Sequence, residues 1–278
     1  MRLPIINRFM CNEYQLHQKI RFLKNKNIIP ILDYTNEDNS NIENNFYKLK
    51  NIIKTYPNNY ISIKLSSLNI EKNTNKTLEY SNELVDEAVK NNSKILIDAE
   101  NYTIQNKIND ISNILLQEHN KDSINIYKTY QMYRIDTFDQ FVNDLNNNRN
   151  YLLGCKLVRG AYYNQDYKYN ILHTKIEDTH NNYNRAIEMF FTNSKSDDIL
   201  MCATHNENSI KYCLKLLENK EKNVEFAQLM GMSDNLTNSL AKDQRVFKYI
   251  PFGNLYETLP YLTRRLYENY PMIQYLWK

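Results

Sequence analysis

Ile199-Leu200-Met201-Cys202-Ala203 is a short, apolar, β-rich run, Thr204-His205-Asn206 follows it as a polar break, and Glu207-Asn208-Ser209-Ile210-Lys211-Tyr212-Cys213-Leu214-Lys215-Leu216-Leu217 then reads as an amphipathic helix. Strand, polar strand end and crossover helix in that order make one βα unit. Working outward in both directions, the alternation occurs eight times. The remaining strands read as Ile29 to Tyr34, Tyr60 to Leu65, Lys94 to Asp98, Ile124 to Tyr130, Leu152 to Val158, Val224 to Gln228 and Arg245 to Ile250. The remaining helices read as Asn41 to Lys54, Thr77 to Asn91, Thr103 to His119, Phe138 to Leu145, Ile176 to Phe191, Leu236 to Ala241 and Tyr256 to Tyr270. Eight such units predict an α/β chain folded as a closed (βα)8 TIM-type barrel, a single domain over residues 1–278 with its barrel core at 29–270. An open doubly wound sheet is the alternative, but no G-x-G-x-x-G follows the first strand, so a Rossmann site has no support.

The chain's 278 residues sit near the roughly 250 typical of such barrels. Its 35 basic and 32 acidic side chains leave a formal charge of +3. They are spread along the chain and form no basic block of the kind a nucleic-acid footprint needs, so no nucleic-acid partner is expected. Cys11, Cys155, Cys202 and Cys213 contain no C-x-x-C pair, and the five histidines show no metal-binding spacing. Reduced, mostly buried thiols and no metal are the expectation. The N-terminus lacks the apolar run of a signal peptide, and no stretch reaches the roughly 18 apolar residues of a membrane span. An intracellular address, cytoplasmic or peripheral on a membrane, is expected. Asn-rich runs such as Asn146-Asn147-Asn148-Arg149-Asn150 lie between periodic segments and read as loops.

The strand ends deliver Asp33 with Glu37, Lys64, Asp98 with Glu100, Gln131, Lys156 with Arg159, Thr204-His205-Asn206, Gln228 and Tyr249 to one mouth. A barrel's structural needs are met by its interior layers and outer helices, so polar groups converging on that edge favour a ligand site. Taken singly, each could equally be a satisfied rim residue. Three of the four glycines, Gly160, Gly231 and Gly253, fall just beyond strand ends, where a plain turn or a close backbone approach to a ligand would each call for glycine. Near the C-terminus, Tyr261, Arg264, Arg265 and Glu268 recur at helical spacing. Two guanidiniums on one turn can hold a carboxylate through paired hydrogen bonds beside a phenol wall. The alternative is a solvated helix face with its arginines paired to Glu257 and Glu268. Lys64 or Lys156 could form a Schiff base, but cations and amides spread round a rim look more like a holder for a large anionic cofactor.

These residues fall into ordered motifs. Lys156-Leu157-Val158-Arg159-Gly160-Ala161-Tyr162, Ile61-Ser62-Ile63-Lys64, Ile97-Asp98-Ala99-Glu100, Ala203-Thr204-His205-Asn206, Phe226-Ala227-Gln228-Leu229, Tyr249-Ile250-Pro251-Phe252-Gly253 and Pro260-Tyr261-Leu262-Thr263-Arg264-Arg265 resemble those of the proline dehydrogenase family, in the family's order, and Asp33 to Glu37 is similar to its first strand end. The resemblance runs from Ile29 to Asn269. It implies a barrel holding FAD noncovalently, with the last helix over the substrate L-proline. It implies further that Arg264 and Arg265 clamp the proline carboxylate, that Tyr261, Tyr249, Tyr162 and Leu229 pack round its ring, that Glu37 gates the site by pairing with the first arginine, and that Lys64 and Asp98 form the polar pair beside substrate and flavin. Flavin contacts carry over to Ala99, Gln131, Lys156, Val158, Arg159, Gly160, Ala161, Thr204, His205, Asn206, Gln228 and Glu268. A cation at Lys156 would favour the reduced ring; members vary between Lys and Arg there.

The implied reaction passes hydride from proline C5 to flavin N5 and yields Δ1-pyrroline-5-carboxylate, with a membrane quinone as the acceptor. The amine must be neutral for hydride to leave, so activity is expected to rise with pH until the enzyme's own groups titrate. Against many members, this chain starts almost directly at the barrel, without a clear transit peptide, and ends at Lys278 shortly after the eighth expected helix. Rival readings are a hydroxyproline dehydrogenase, against which the phenol of Tyr249 argues, a flavin-binding barrel without catalysis, and a Schiff-base aldolase.

Overall fold

The computed structural model describes residues 6–35 and 41–253. Strands β1 (Ile28–Tyr34), β2 (Tyr60–Ile63), β3 (Lys94–Ile97), β4 (Ile126–Gln131), β5 (Gly154–Val158), β6 (Ile199–Ala203), β7 (Asn223–Leu229) and β8 (Arg245–Phe252) follow one another round a closed barrel. Helices α1 (Ile6–Phe9) and α2 (Glu13–Lys24) precede it, and α3 (Ile42–Thr55), α4 (Thr74–Lys90), α5 (Tyr102–His119), α6 (Thr137–Asn146), α7 (Tyr163–Asp166), α8 (Ile176–Asn193), α9 (Glu207–Leu217) and α10 (Asp234–Leu240) lie between the strands. The (βα)8 expectation holds. Packing divides the chain into two compact units, Met1–Ile95 with Phe226–Lys278, and Leu96–Glu225. The expected helix Tyr256 to Tyr270 lies outside the described residues.

In the first unit, β1 pairs in parallel with β2 and with β8. Five of the eight expected strands, β2, β3, β4, β7 and β8, end at a different residue from their sequence reading, and β2 and β8 show why. Leu65 leaves the strand because Lys64 starts a 3-10 turn, Leu65–Leu68, which closes on a left-handed Asn69. The apolar character of Leu65 serves the core, where it is fully buried, rather than the sheet. Strand β8 runs on to Phe252 because Cys11 pairs with its end: Cys11 N–H donates to Pro251 O at 3.1 Å, and Gly253 N–H to Cys11 O at 3.3 Å. The approach segment, which carries α2, is thus part of the fold ahead of the barrel. Its helix α2 opens on a capping box in which Asn12 Oδ1 accepts from Gln15 N–H at 2.9 Å. Leu16, Ile20 and Leu23 make its buried face. Burial pushes the Cys11 thiol up to about 12.

Asparagine carries much of the local architecture. The side chains of Asn12, Asn41, Asn73, Asn101 and Asn206 accept backbone N–H groups at the starts of α2, α3, α4, α5 and α9, satisfying donors that a helix leaves open. Asn27, Asn58, Asn69, Asn92 and Asn170 take positive φ at turns, a conformation asparagine tolerates better than other non-glycine residues.

In the second unit, β5 pairs in parallel with β4 and β6. Strands β4 and β5 start two residues later than expected, at Ile126 and Gly154, because the preceding residues are held by side chains rather than by the sheet. Buried Asn120 accepts Asn125 and Ile126 N–H at 2.9 Å each, and donates to Ile126 O and Leu152 O. Asp198, just before β6, is fully buried with Arg149. Its Oδ1 accepts from Arg149 Nη1 at 2.7 Å and Leu153 N–H at 2.8 Å, and its Oδ2 from Lys195 N–H at 2.7 Å and from Arg149 Nη2. All four Cys residues are buried and free, as expected. The Cys202 and Cys213 sulfurs lie 3.9 Å apart.

Removing one partner of a buried ion pair strands the other charge without water, at a cost of about 3 to 5 kcal/mol. Asp198→Ala should therefore lower the unfolding free energy by about that amount. The shift of the urea midpoint measures it, and a loss below about 1 kcal/mol would mean that the guanidinium finds other partners.

Candidate active site

The polar ends of β3 to β6 lie in the second unit. Lys156, in the middle of β5, is 2% exposed and donates from Nζ to Asp98 Oδ1 at 2.6 Å. Asp98 is the first residue after β3, where the strand ends one position earlier than expected. Gln131 closes β4, and its Nε2 donates to Glu100 O at 2.8 Å. Glu100 N–H donates to Gln105 Oε1 at 2.8 Å, so the Asp98-Ala99-Glu100 turn is held from both sides.

Arg159 follows β5. Its Nε donates to His180 Nδ1 at 3.0 Å, Nη2 to Ser209 Oγ at 2.9 Å and Nη1 to Thr204 Oγ1, while the guanidinium lies 4.4 Å from the Tyr183 ring centre. Each of these partners is neutral, and no carboxylate pairs with Arg159 among the described residues. Thr204 is buried, while His205 and Asn206 are half-buried. Asn206 Oδ1 accepts Ser209 N–H at 3.1 Å, which starts α9 beside the same guanidinium. Gly160, Gly231 and Gly253 all have positive φ, at 141°, 79° and 156°. At Gly160 an added Cβ would overlap the Tyr133 ring. Glycine there is required by the chain's own packing, a reason that sequence spacing could not show. Half-buried Val158 and Ala161 flank this turn, and Tyr162, 8% exposed, caps α7.

The first unit holds the others. Lys64 Nζ donates to Asp33 Oδ1 at 2.6 Å. The side chains of Lys64 and Asp33 thus form an ion pair within this unit, as Lys156 and Asp98 do within the other. Gln228 is 2% exposed, and its Oε1 accepts from Thr237 Oγ1 at 3.1 Å. Leu229 closes β7, where its carbonyl accepts from Lys248 Nζ at 3.1 Å. Tyr249 is 8% exposed on β8. Glu37, Tyr261, Arg264, Arg265 and Glu268 lie outside the described residues. The strand-end pattern includes Asp33 without giving it a role, and it includes neither His180 nor Tyr133. Asp33 precedes the last residue of β1, the one signal the sequence held.

A guanidinium largely withdrawn from water with neutral partners alone has charge left for an anion. Gln131 and Thr204 add polar groups at neighbouring strand ends and Lys156 adds a cation within β5, so this donor set fits a large anionic cofactor. The fold is that of a (βα)8 barrel with its polar groups at the strand ends.

Comparison with known proteins agrees with that class. The family model described as proline dehydrogenase matches residues 17–274. Proline dehydrogenase 1, mitochondrial, of Dictyostelium discoideum is 38% identical over 195 residues, which cover 63% of this chain and 34% of that protein. The carbapenem antibiotics biosynthesis protein CarD of Pectobacterium carotovorum is 33% identical over 195 residues, covering 67% of this chain and 51% of that one. Among solved structures, proline utilization A of Bdellovibrio bacteriovorus inactivated by N-propargylglycine superposes with a TM-score of 0.88 at 16% identity, over 96% of this chain and 33% of the other, a likeness of fold. With its match extending over nearly the whole sequence, the chain belongs to the proline dehydrogenase family. It spans about a third of the Dictyostelium and Bdellovibrio proteins.

Burial, and then the Arg159 charge, hold the His180 imidazole below its ordinary value of 6.5, with Glu177 opposing. A depressed folded-state value means that the unfolded chain binds the proton more readily, so this contribution to stability is complete above 6.5 and is lost as pH falls below it. His180→Gln keeps an acceptor for Arg159 Nε and removes the titration. Wild type should lose more thermal stability than the variant between about pH 7 and about pH 5, measured as the difference in Tm at each pH. Parallel Tm curves would show that His180 does not hold Arg159 as a neutral acceptor.

Proposed function

We propose that this chain oxidises L-proline to Δ1-pyrroline-5-carboxylate with FAD, as the first step of proline catabolism. Family membership supports the substrate, and the carrying observation for the cofactor is the Arg159 guanidinium held by neutral groups alone. Bound FAD would supply the hydride acceptor for proline C5.

The chain's own residues would do the rest. Arg159, Thr204, His205, Asn206, Gln131 and Gln228 would hold the cofactor, with Ala99, Val158, Gly160, Ala161 and Glu268 as further contacts. Lys156, fixed by Asp98 at 2.6 Å, would present its paired ammonium group to negative charge arriving with the hydride. Lys64, fixed by Asp33, would keep a second cation at the end of β2 without needing a mobile counterion. Arg264 and Arg265 would hold the proline carboxylate with Tyr261, and Glu37 would gate it. Tyr162, Leu229 and Tyr249 would shape the ring pocket. A quinone-type acceptor, met by peripheral contact with a membrane, belongs to the same proposal; no described helix is long and apolar enough to cross one.

Purified protein should show flavin absorbance that bleaches when L-proline is added without oxygen. Colourless protein would overturn the cofactor assignment, and flavin that stays oxidised with proline would favour the noncatalytic barrel.

The hydroxyproline reading makes a different demand on Tyr249. With a phenol in the ring pocket, a 4-hydroxyl loses water without gaining a partner, so kcat/KM should favour L-proline over trans-4-hydroxy-L-proline. Tyr249→Ser should narrow or invert that ratio while slowing proline turnover. An unchanged ratio would remove Tyr249 from the pocket.

A further inference from the structure

We infer that the hydrogen bond from the Tyr133 hydroxyl to Asp166 is a positioning device for the cofactor loop at Gly160, acting on FAD through the backbone rather than by touching it. The inference rests on the proposed reading of that loop as part of the FAD site. Tyr133 stands two residues beyond β4 and is 7% exposed. Its N–H donates to Arg159 O at 2.7 Å, one residue after Met132 N–H donates to Val158 O at 2.8 Å, so the two strand ends stay zipped past the sheet. Its ring fills the space in which any side chain at position 160 would stand.

What meets its hydroxyl is a buried carboxylate, with the Tyr162 backbone N–H as a further partner. Tyr133 OH donates to Asp166 Oδ2 at 2.6 Å, and Asp166 is fully buried. The other oxygen, Oδ1, accepts Tyr102 N–H, the first residue of α5, at 2.8 Å. Asp166 N–H returns to Tyr162 O at 2.9 Å. Both carboxylate oxygens are therefore used, and they join the end of β4, the turn after β5 and the start of the helix that follows Asp98-Ala99-Glu100. A one-turn helix such as α7 does not need a buried carboxylate for its own sake, and burying one among neutral donors is costly. Each segment that Asp166 ties together carries or adjoins a residue assigned here to the cofactor: Gln131, Arg159 and Gly160, and Ala99.

Tyr133→Phe keeps the ring and deletes the donor, and Asp166→Asn removes the charge. Each holoprotein is diluted, and the release of FAD is followed by the rise in free-flavin fluorescence, with the visible circular dichroism of the bound flavin recorded beforehand. Each single variant should release FAD about tenfold faster, the loss of one charge-assisted hydrogen bond. The bound-flavin dichroism should change, and the double variant should be no worse than the poorer single. Wild-type release and unchanged dichroism in either variant would overturn the inference and leave the FAD assignment standing. Simple addition of the two effects would also overturn it. Wild-type protein without flavin would bring down the assignment and the inference together. If Tyr133→Phe fails to fold, Asp166→Asn alone decides by the same two readouts.

Discussion

An ammonium group taken out of water has to find a carboxylate and enough further acceptors to replace its hydration, or the fold pays several kcal/mol for it. Four lysines on or just beyond barrel strands meet this constraint in the same way. Lys64, Lys128, Lys156 and Lys248 each pair with an aspartate, Asp33, Asp144, Asp98 and Asp234, at 2.6 to 3.0 Å. The short aspartate arm leaves little rotational freedom, so each lysine is held at a defined height along its strand. Arg159 is the contrast, since its partners are a histidine, two hydroxyls and a tyrosine ring. Electrostatics thus separates cations whose charge is spent inside the protein from one whose charge is still available to a ligand.

Such a division has a chemical use. A cation neutralised in advance by aspartate acts as a positioned dipole and responds to small changes of charge nearby, whereas one with neutral partners attracts an anion outright. In the proposed oxidation the first kind suits Lys156, which must tolerate both redox states of a ring, and the second suits Arg159, which must retain a cofactor through both. The family membership and the charge pattern therefore support one reading from independent directions.

Most of the fold could be read from periodicity because the described βα units repeat the same contrast, a mostly buried strand followed by a one-sided helix. Helix α9 is read to the residue, Glu207–Leu217. Boundaries failed where tertiary contacts decide them. Leu65 and Leu152 are as apolar as strand residues, but a 3-10 turn claims the first and Asn120 holds the second. The approach helix α2 carries legible marks, Asn12 with Gln15 and then Leu16, Ile20 and Leu23, yet it lies outside the βα repeat, so periodicity of the repeat does not reach it. Of the site, the ends of strands were visible as polar residues after apolar runs. Their partners were not: His180 lies mid-helix, and Asp166 sits in a single turn without periodicity, so no local signal marks either one.

The asparagine turns bear on stability from the other side of the folding equilibrium. A chain of 278 residues with four glycines has few fully permissive backbone positions. Five of its left-handed turns are made by asparagine, a residue whose Cβ restricts the backbone whether or not the chain is folded. Fewer conformations are then open to the denatured ensemble, and less configurational entropy is surrendered when the barrel closes. Part of what keeps this protein folded is therefore absent from its list of contacts, because it consists of disorder that the unfolded chain never had.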